Sequence, residues 1–195
     1  MNLVLVRHGQ TEANYEKLIQ GWTDNPLNEL GIKQSHEIGI FLKEGQYSFD
    51  YAYSSPLVRA VKTGEVALSY LNDKLPIIID YHFMERNFGP FEAKIAHPVL
   101  KEVLKEGFTY PGFEDDQMLL GRIETGLLKL YEKHPGKNIV LFCHSHVIKS
   151  FLILAEPKNY TYRTFIDNCS LHQFAYDGTD LKLLKFNLTT KKKHF

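Results

Sequence analysis

The sequence predicts an α/β fold: a three-layer sandwich with a mainly parallel central sheet and an antiparallel edge. Three observations carry this. Short apolar runs alternate with longer helical stretches over residues 2–155, the pattern of strands joined by crossover helices. The runs Leu3-Val4-Leu5-Val6 and Ile139-Val140-Leu141-Phe142 show no polar alternation, as expected of strands covered on both faces. After residue 170 the pattern changes, and two strand-like segments flank Asp177-Gly178, a hairpin signal.

In order, the chain reads as a strand over 2–7, a helix over 31–44 and a short strand over 51–54. A helix over 56–71 follows, with Ser55 as its cap and Pro56 in its first turn. Ile77-Ile78-Ile79 marks a strand over 76–80, then come helices near 95–106 and 115–134, a strand over 138–143 and a helix over 145–155. The hairpin 170–176 and 181–188 completes the sheet. Residues 107–116, with Gly107, Pro111 and Gly112, form an irregular loop, either a gate over a site or an exposed connection. Lys191-Lys192-Lys193 reads as a solvated tail. With no repeat, linker or low-complexity stretch, a single domain over 1–195 is expected.

Composition narrows the partners. Lys plus Arg equals Asp plus Glu at 23 each, so there is no basic field for nucleic acid or a membrane surface. An anion site must then be a local cluster of cations. No apolar run approaches a membrane span, and the N-terminus lacks a signal pattern, so a cytoplasmic protein is expected. Cys143 and Cys169 do not suggest a disulfide framework, and Cys143 reads as a reduced core thiol.

Chemistry-bearing residues fall at strand ends, where ligands bind in open α/β sheets. The first strand ends in Arg7-His8-Gly9 and the fourth in His144-Ser145. Arg59 falls in the first turn of a helix, where the dipole disfavours a cation unless an anion sits in front. The third strand leads to Glu85. A nucleophile, cations and an acid are what phosphoryl transfer requires.

The motifs then become specific. Leu5-Val6-Arg7-His8-Gly9-Gln10-Thr11-Glu12-Ala13-Asn14, Gly21-Trp22-Thr23-Asp24-Asn25-Pro26-Leu27, Gly31-Ile32-Lys33-Gln34, Ser54-Ser55-Pro56-Leu57-Val58-Arg59-Ala60, Glu85-Arg86-Asn87-Phe88-Gly89 and Cys143-His144-Ser145 occur in one order along nearly the whole chain. Together they resemble the histidine phosphatase superfamily, in the branch of the cofactor-dependent phosphoglycerate mutases and their broad phosphatase relatives. The resemblance implies a phosphoglycerate mutase-like fold and a phosphohistidine intermediate on His8. It implies Arg7, Arg59 and His144 around the phosphoryl oxygens, His144 as a cation, and Glu85 as proton donor. Glu92 is the main competitor for that role and Glu65 a lesser one. Thr11, Asn14, Gln20 and Gly21 fall where the family lines its phosphate pocket, although Thr11 and Asn14 also suit an ordinary turn. Ser145 supplies a backbone N–H and a hydroxyl, and Arg86 a second anion site.

The expected activity is metal-independent hydrolysis of a small phosphorylated metabolite, with no cofactor. His144-x-His146 has the spacing of a metal pair, but no third ligand follows convincingly and the arginines oppose a cation. The rival readings are a phosphoglycerate mutase and a catalytically inactive binding protein on the same fold. Against the mutase, 93–137 holds only one arginine, Arg122, on a helix where a solvated and a pocket position are equally open. Departures from the family pattern are Cys143 and Ser145 around His144, and Ala93 where many phosphatases have glycine. Selectivity is expected from residues over the mouth, within 86–120.

Overall fold

The computed structural model describes residues 1–72 and 74–190, and the Lys191-Lys192-Lys193 run lies outside the described residues. Six strands, β1 (Asn2–Arg7), β2 (Tyr51–Ser54), β3 (Ile77–Ile79), β4 (Asn138–Cys143), β5 (Leu171–Tyr176) and β6 (Leu181–Leu188), form one sheet in the order β3-β2-β4-β1-β5-β6. The β3–β2, β2–β4 and β4–β1 pairs are parallel, and β5 runs antiparallel to both β1 and β6. The expected mainly parallel sheet with an antiparallel edge is therefore what forms.

Helices cover both faces. On one side α2 (Glu29–Glu44) and α3 (Val58–Leu68) pack Ile38, Leu42, Ala67 and Leu68 against Val4, Val6, Val140 and Phe142. On the other, α5 (Asp116–Lys133) and α6 (Ser145–Ala155) pack Ile123, Leu127, Val147 and Phe151 against Leu3, Leu5, Ile139 and Leu141. Successive side chains of β1 and β4 thus enter different cores, which is why those strands read as unbroken apolar runs. The hairpin turn is as expected: the Asp177 carboxylate accepts from the amides of Thr179 and Asp180, and Gly178 has φ +104°.

Two short helices depart from the sequence reading. The four-residue α1 (Glu12–Tyr15) was not anticipated; Thr11 and Asn14 close a reciprocal capping box around it. The helix expected over 95–106 is α4 (Ala96–Val103). It packs onto a satellite cluster of Ile19, Phe88, Val103 and Phe113. Ala93 turns the chain with φ +60°, and its amide bonds the Ile19 carbonyl. A left-handed backbone is one glycine adopts freely, so Ala93 holds this turn at some strain.

The start of α3 also differs. Ser55 accepts from the Leu57 amide as a turn, and the helix begins only at Val58. Its cap comes from a distant loop: the Asp24 carboxylate accepts from the Val58 amide at 2.7 Å. The anion expected before this helix is thus supplied by the protein itself.

The loop after β1 is held to α2 by a glycine pair. A Cβ on Gly9 would stand 2.4 Å from the Gly31 carbonyl oxygen, and one on Gly31 would stand 2.0 Å from that of Gln10. An alanine in a helix normally stabilises. Gly31→Ala should instead destabilise by about 1–3 kcal/mol in urea unfolding, because backbone must move. An unchanged or raised midpoint would show that the contact relaxes freely.

Candidate active site

The β1–β4 register builds the site. Arg7 pairs with Cys143, and the next residue of each strand, His8 and His144, follows at the carboxyl end of the sheet. The His8 amide donates to the Cys143 carbonyl at 3.0 Å, and the two imidazole centroids lie 5.2 Å apart. His8 Nδ1 sits 2.7 Å from the Gly9 carbonyl oxygen, which can only accept. Nδ1 therefore carries the proton, and Nε2 keeps the free lone pair. Burial, then the Arg59 and Arg7 charges, hold the His8 pKa well below the ordinary imidazole range. A neutral ring with an available Nε2 is the form that attacks phosphorus.

A cavity of about 240 Å³ opens on this ring. Arg7, His8, Asn14, Gln20, Arg59, Glu85 and Ser145 all line it, as expected. Arg7 donates to the Ile166 carbonyl at 2.6 Å. Arg59 donates to the carbonyls of Gly21 and Thr23, each at 2.8 Å. Burial lowers the pKa of both, that of Arg59 to about 10; a guanidinium is not deprotonated in proteins near neutral pH, so each carries its charge. Asn14 and Gln20 commit their carboxamide oxygens to protein donors, Thr11 among them. Their amide nitrogens are left for a ligand.

Glu85 is buried beside these groups, its carboxylate accepting from the amides of Arg86 at 2.8 Å and His146 at 3.2 Å. Its two competitors are placed elsewhere. Glu92 accepts from the amides of Trp22 and Thr23, both at 2.8 Å, and from the Thr23 hydroxyl. Glu65 makes an exposed pair with Lys62. His144 contacts the Ser55 hydroxyl through Nε2 at 2.7 Å. Burial and then the Arg59 charge push its pKa well below the usual range, so the protein alone holds it neutral rather than cationic. A phosphoryl dianion in the cavity would act in the opposite sense.

Three expected site residues lie elsewhere, and two readings left open are now decided. Thr11 and Gly21 do not line the cavity: Thr11 caps α1, and the Gly21 carbonyl anchors Arg59 from behind the wall. A Cβ on Gly21 would meet Glu92, so the glycine serves close packing. Arg86 faces away, paired with Asp116 at 2.7 Å and stacked on the Tyr162 ring at 4.2 Å. Arg122 is neither solvated nor in the pocket. It grips Glu114 with two bonds of 2.7 Å and donates to the carbonyls of His82, Met84 and Glu85, fixing the backbone that presents Glu85. The 107–116 loop does not reach the cavity either, and its Phe113 and Glu114 are buried anchors. The upper wall comes from Ala96 and Leu100 of α4 and from Leu18 and Ile19.

The sequence reading missed Lys149, which lines this cavity from α6 and is only 9% exposed. The signal was present: a lone cation in the helix run Val147 to Leu154, which is otherwise apolar but for Ser150. Lys17, also at the cavity, was missed because its φ of +59° is set by the turn after α1. His146 is buried between Phe88 and Tyr162, and no group of three His, Cys, Asp or Glu side chains placed to hold a metal occurs among the described residues.

Fold and site together define a member of the histidine phosphatase superfamily (branch 1): that family's pattern matches residues 3–189, and the chain belongs to it. Among individual relatives, the chain is 35% identical over 148 residues to the uncharacterised phosphatase PhoE of Bacillus subtilis, covering 76% of this chain and 74% of that protein. It is 42% identical over 94 residues to a 2,3-bisphosphoglycerate-dependent phosphoglycerate mutase of Treponema denticola, covering 48% of this chain and 38% of the mutase. The crystal structure of a phosphoglycerate mutase from Bacillus anthracis superposes with a TM-score of 0.84 at 25% identity, over 96% of this chain and 92% of that one.

The buried histidines set an acid limit on stability. His8, His144, His146 and His172 all have lowered pKa values, chiefly through burial, with His172 at about 3. Between the ordinary value of 6.5 and these lowered values, the unfolded chain binds protons that the folded one does not. Stability is therefore full above that window and lost as pH falls through it. Urea midpoints should fall from neutral pH into acid. His172→Phe should make the slope shallower by up to about 1.4 kcal/mol per pH unit. An unchanged slope would mean that His172 charges in the folded state.

Proposed function

We propose that the protein is a metal-independent phosphatase hydrolysing small phosphate monoesters in the cytoplasm through a phosphohistidine on His8. One observation carries the reading: His8 is held neutral, with its proton fixed on Nδ1, at the floor of a cavity walled by Arg7, Arg59 and Glu85, with the His144 ring buried 5.2 Å behind it. In the first step the Nε2 lone pair forms a bond to phosphorus while the bond to the leaving oxygen breaks. Glu85 gives that oxygen its proton. In the second, water attacks phosphorus, Glu85 takes a proton from it, and the P–N bond breaks to release phosphate and restore His8. The two guanidinium groups balance the charge on the equatorial oxygens, the task a metal performs elsewhere. Both cysteines are free and buried, which suits a reducing compartment.

The mutase relatives favour a second reading, in which the phosphoryl group returns to substrate. The two arginines that offered a site for a second phosphate weigh against it, because Arg86 and Arg122 are both spent on protein groups. An inactive binding protein is disfavoured because His8, Glu85 and both cavity arginines are all in place.

Brief mixing with a labelled ester followed by a denaturing quench should leave phosphate on His8, in a bond labile to acid and stable to alkali. His8→Ala should lose both the label and turnover. Isomerisation of phosphoglycerate that far outpaces hydrolysis of every ester would replace the phosphatase reading by the mutase one.

Glu85→Gln keeps the shape but not the proton. Turnover of alkyl phosphates should fall about 10²–10⁴-fold, and that of an aryl phosphate much less. An equal loss on both classes would reassign Glu85 to positioning.

A further inference from the structure

Beyond the cavity at His8 lies a second one of about 510 Å³. The two share Arg7, Leu100, Ser145 and Lys149, so they are neighbouring compartments with one common wall. The second has two characters at once. Leu104, Tyr162, Phe165 and Ile166 give it apolar surface, Phe165 being 73% exposed. Its charged side chains are Arg7, Lys101, Lys149 and Arg163, all cations, with no Asp or Glu among the lining residues.

Lys149 stands at the junction, and the phosphoryl chemistry does not need it. Its Nζ donates to the Tyr162 carbonyl at 2.9 Å, and among the described residues no carboxylate is in salt-bridge contact with it. An ammonium with three donors, one hydrogen-bond partner and almost no exposure is costly unless an anion meets it. Placing it in a helix core beside a phosphate site has a chemical use if the rest of the substrate is anionic. A single ammonium balances a monoanion.

We propose that the second cavity is the leaving-group subsite, that Lys149 holds a carboxylate at its entrance, and that the preferred substrates are phosphate monoesters whose alcohol has an apolar body and carries that carboxylate. The term leaving group rests on the phosphatase reading; the binding preference does not. Lys149 is a specificity residue in this scheme. The titratable and charged groups around it are Arg7 from β1, Glu85 and Arg86 from the segment after β3, His97 and Lys101 from α4, His146 from α6, and Tyr162 and Arg163 beyond α6. Burial first, then Arg7 and Arg86, bring its pKa to about 7, while Glu85 opposes them. Its hold on a carboxylate therefore weakens as pH rises through neutrality.

The test compares phenylphosphonate with para-carboxyphenylphosphonate by calorimetry on the full chain. The ratio of their dissociation constants cancels titration of the phosphonate and of the histidines. In the wild type the carboxylated compound should bind about tenfold tighter or more at about pH 6, and the advantage should shrink at about pH 8.5. Lys149→Met should abolish the advantage, and Lys149→Arg should keep it at both pH values. Equal binding of the two compounds by the wild type overturns the proposal, as does an advantage that survives Lys149→Met. Should Lys149→Met fail to fold, the wild-type ratio and the pH profile of Lys149→Arg decide alone. The matching esters, phenyl phosphate and para-carboxyphenyl phosphate, separate the two ideas. Intact binding preference with no phosphate released from either ester sinks the phosphatase reading and leaves the subsite standing.

Discussion

The parallel pairing of β1 with β4 is the constraint on which the site depends. Its register ends with Arg7 beside Cys143, and the backbone bond from His8 to Cys143 carries the pairing one residue further. Two histidines 136 residues apart in the sequence are thereby held with their ring centroids 5.2 Å apart. Both strands are buried on both faces, so a slip of one residue would exchange their entire side-chain sets between the α2–α3 core and the α5–α6 core. The apolar cores thus fix the position of polar groups they never touch.

Around that pairing, the protein keeps its buried cations in place by backbone carbonyls more than by carboxylates. Arg7 is tied to Ile166, Arg59 to Gly21 and Thr23, and Lys149 to Tyr162. A carbonyl orients a cation without cancelling its charge, whereas a carboxylate would compete with an incoming anion. Carboxylates are used instead where a cation has a structural task, as in Arg122 with Glu114 and Arg86 with Asp116. The choice of partner divides the buried cations at the cavity from those behind it.

Much of this was legible in the chain because the information is local. Arg7, His8 and His144 stand directly at the ends of apolar runs, and Arg59 lies within a turn of one, so reading the strands located the residues. What escaped depends on contacts between distant segments. Asp24 caps α3 across 34 residues, and nothing near Val58 announces it. Arg86 lies beside Glu85 in sequence, yet Tyr162 and Asp116, both far along the chain, turn it away. Arg122 could be placed on its helix but not on a face, because the carbonyls it grips belong to an irregular segment with no periodicity to read. The mouth was expected within 86–120, and Ala96 and Leu100 of α4 fall in that range; of the two readings open for the 107–116 loop, the gate is not what forms, since exposure of a loop says nothing about which side it faces.

The placement of sulfur has a consequence for endurance under oxidants. Cys143 lies directly beneath the paired histidines, fully buried, and burial raises its thiol pKa well above the usual value; Cys169 is raised to about 12. The thiolate is the form that peroxide and electrophiles attack, and neither cysteine populates it near neutral pH. With an imidazole as the proposed nucleophile, the chemistry has no sulfur to lose. Catalysis of the proposed kind would not depend on a thiolate, the group oxidants attack in enzymes built on a reactive cysteine.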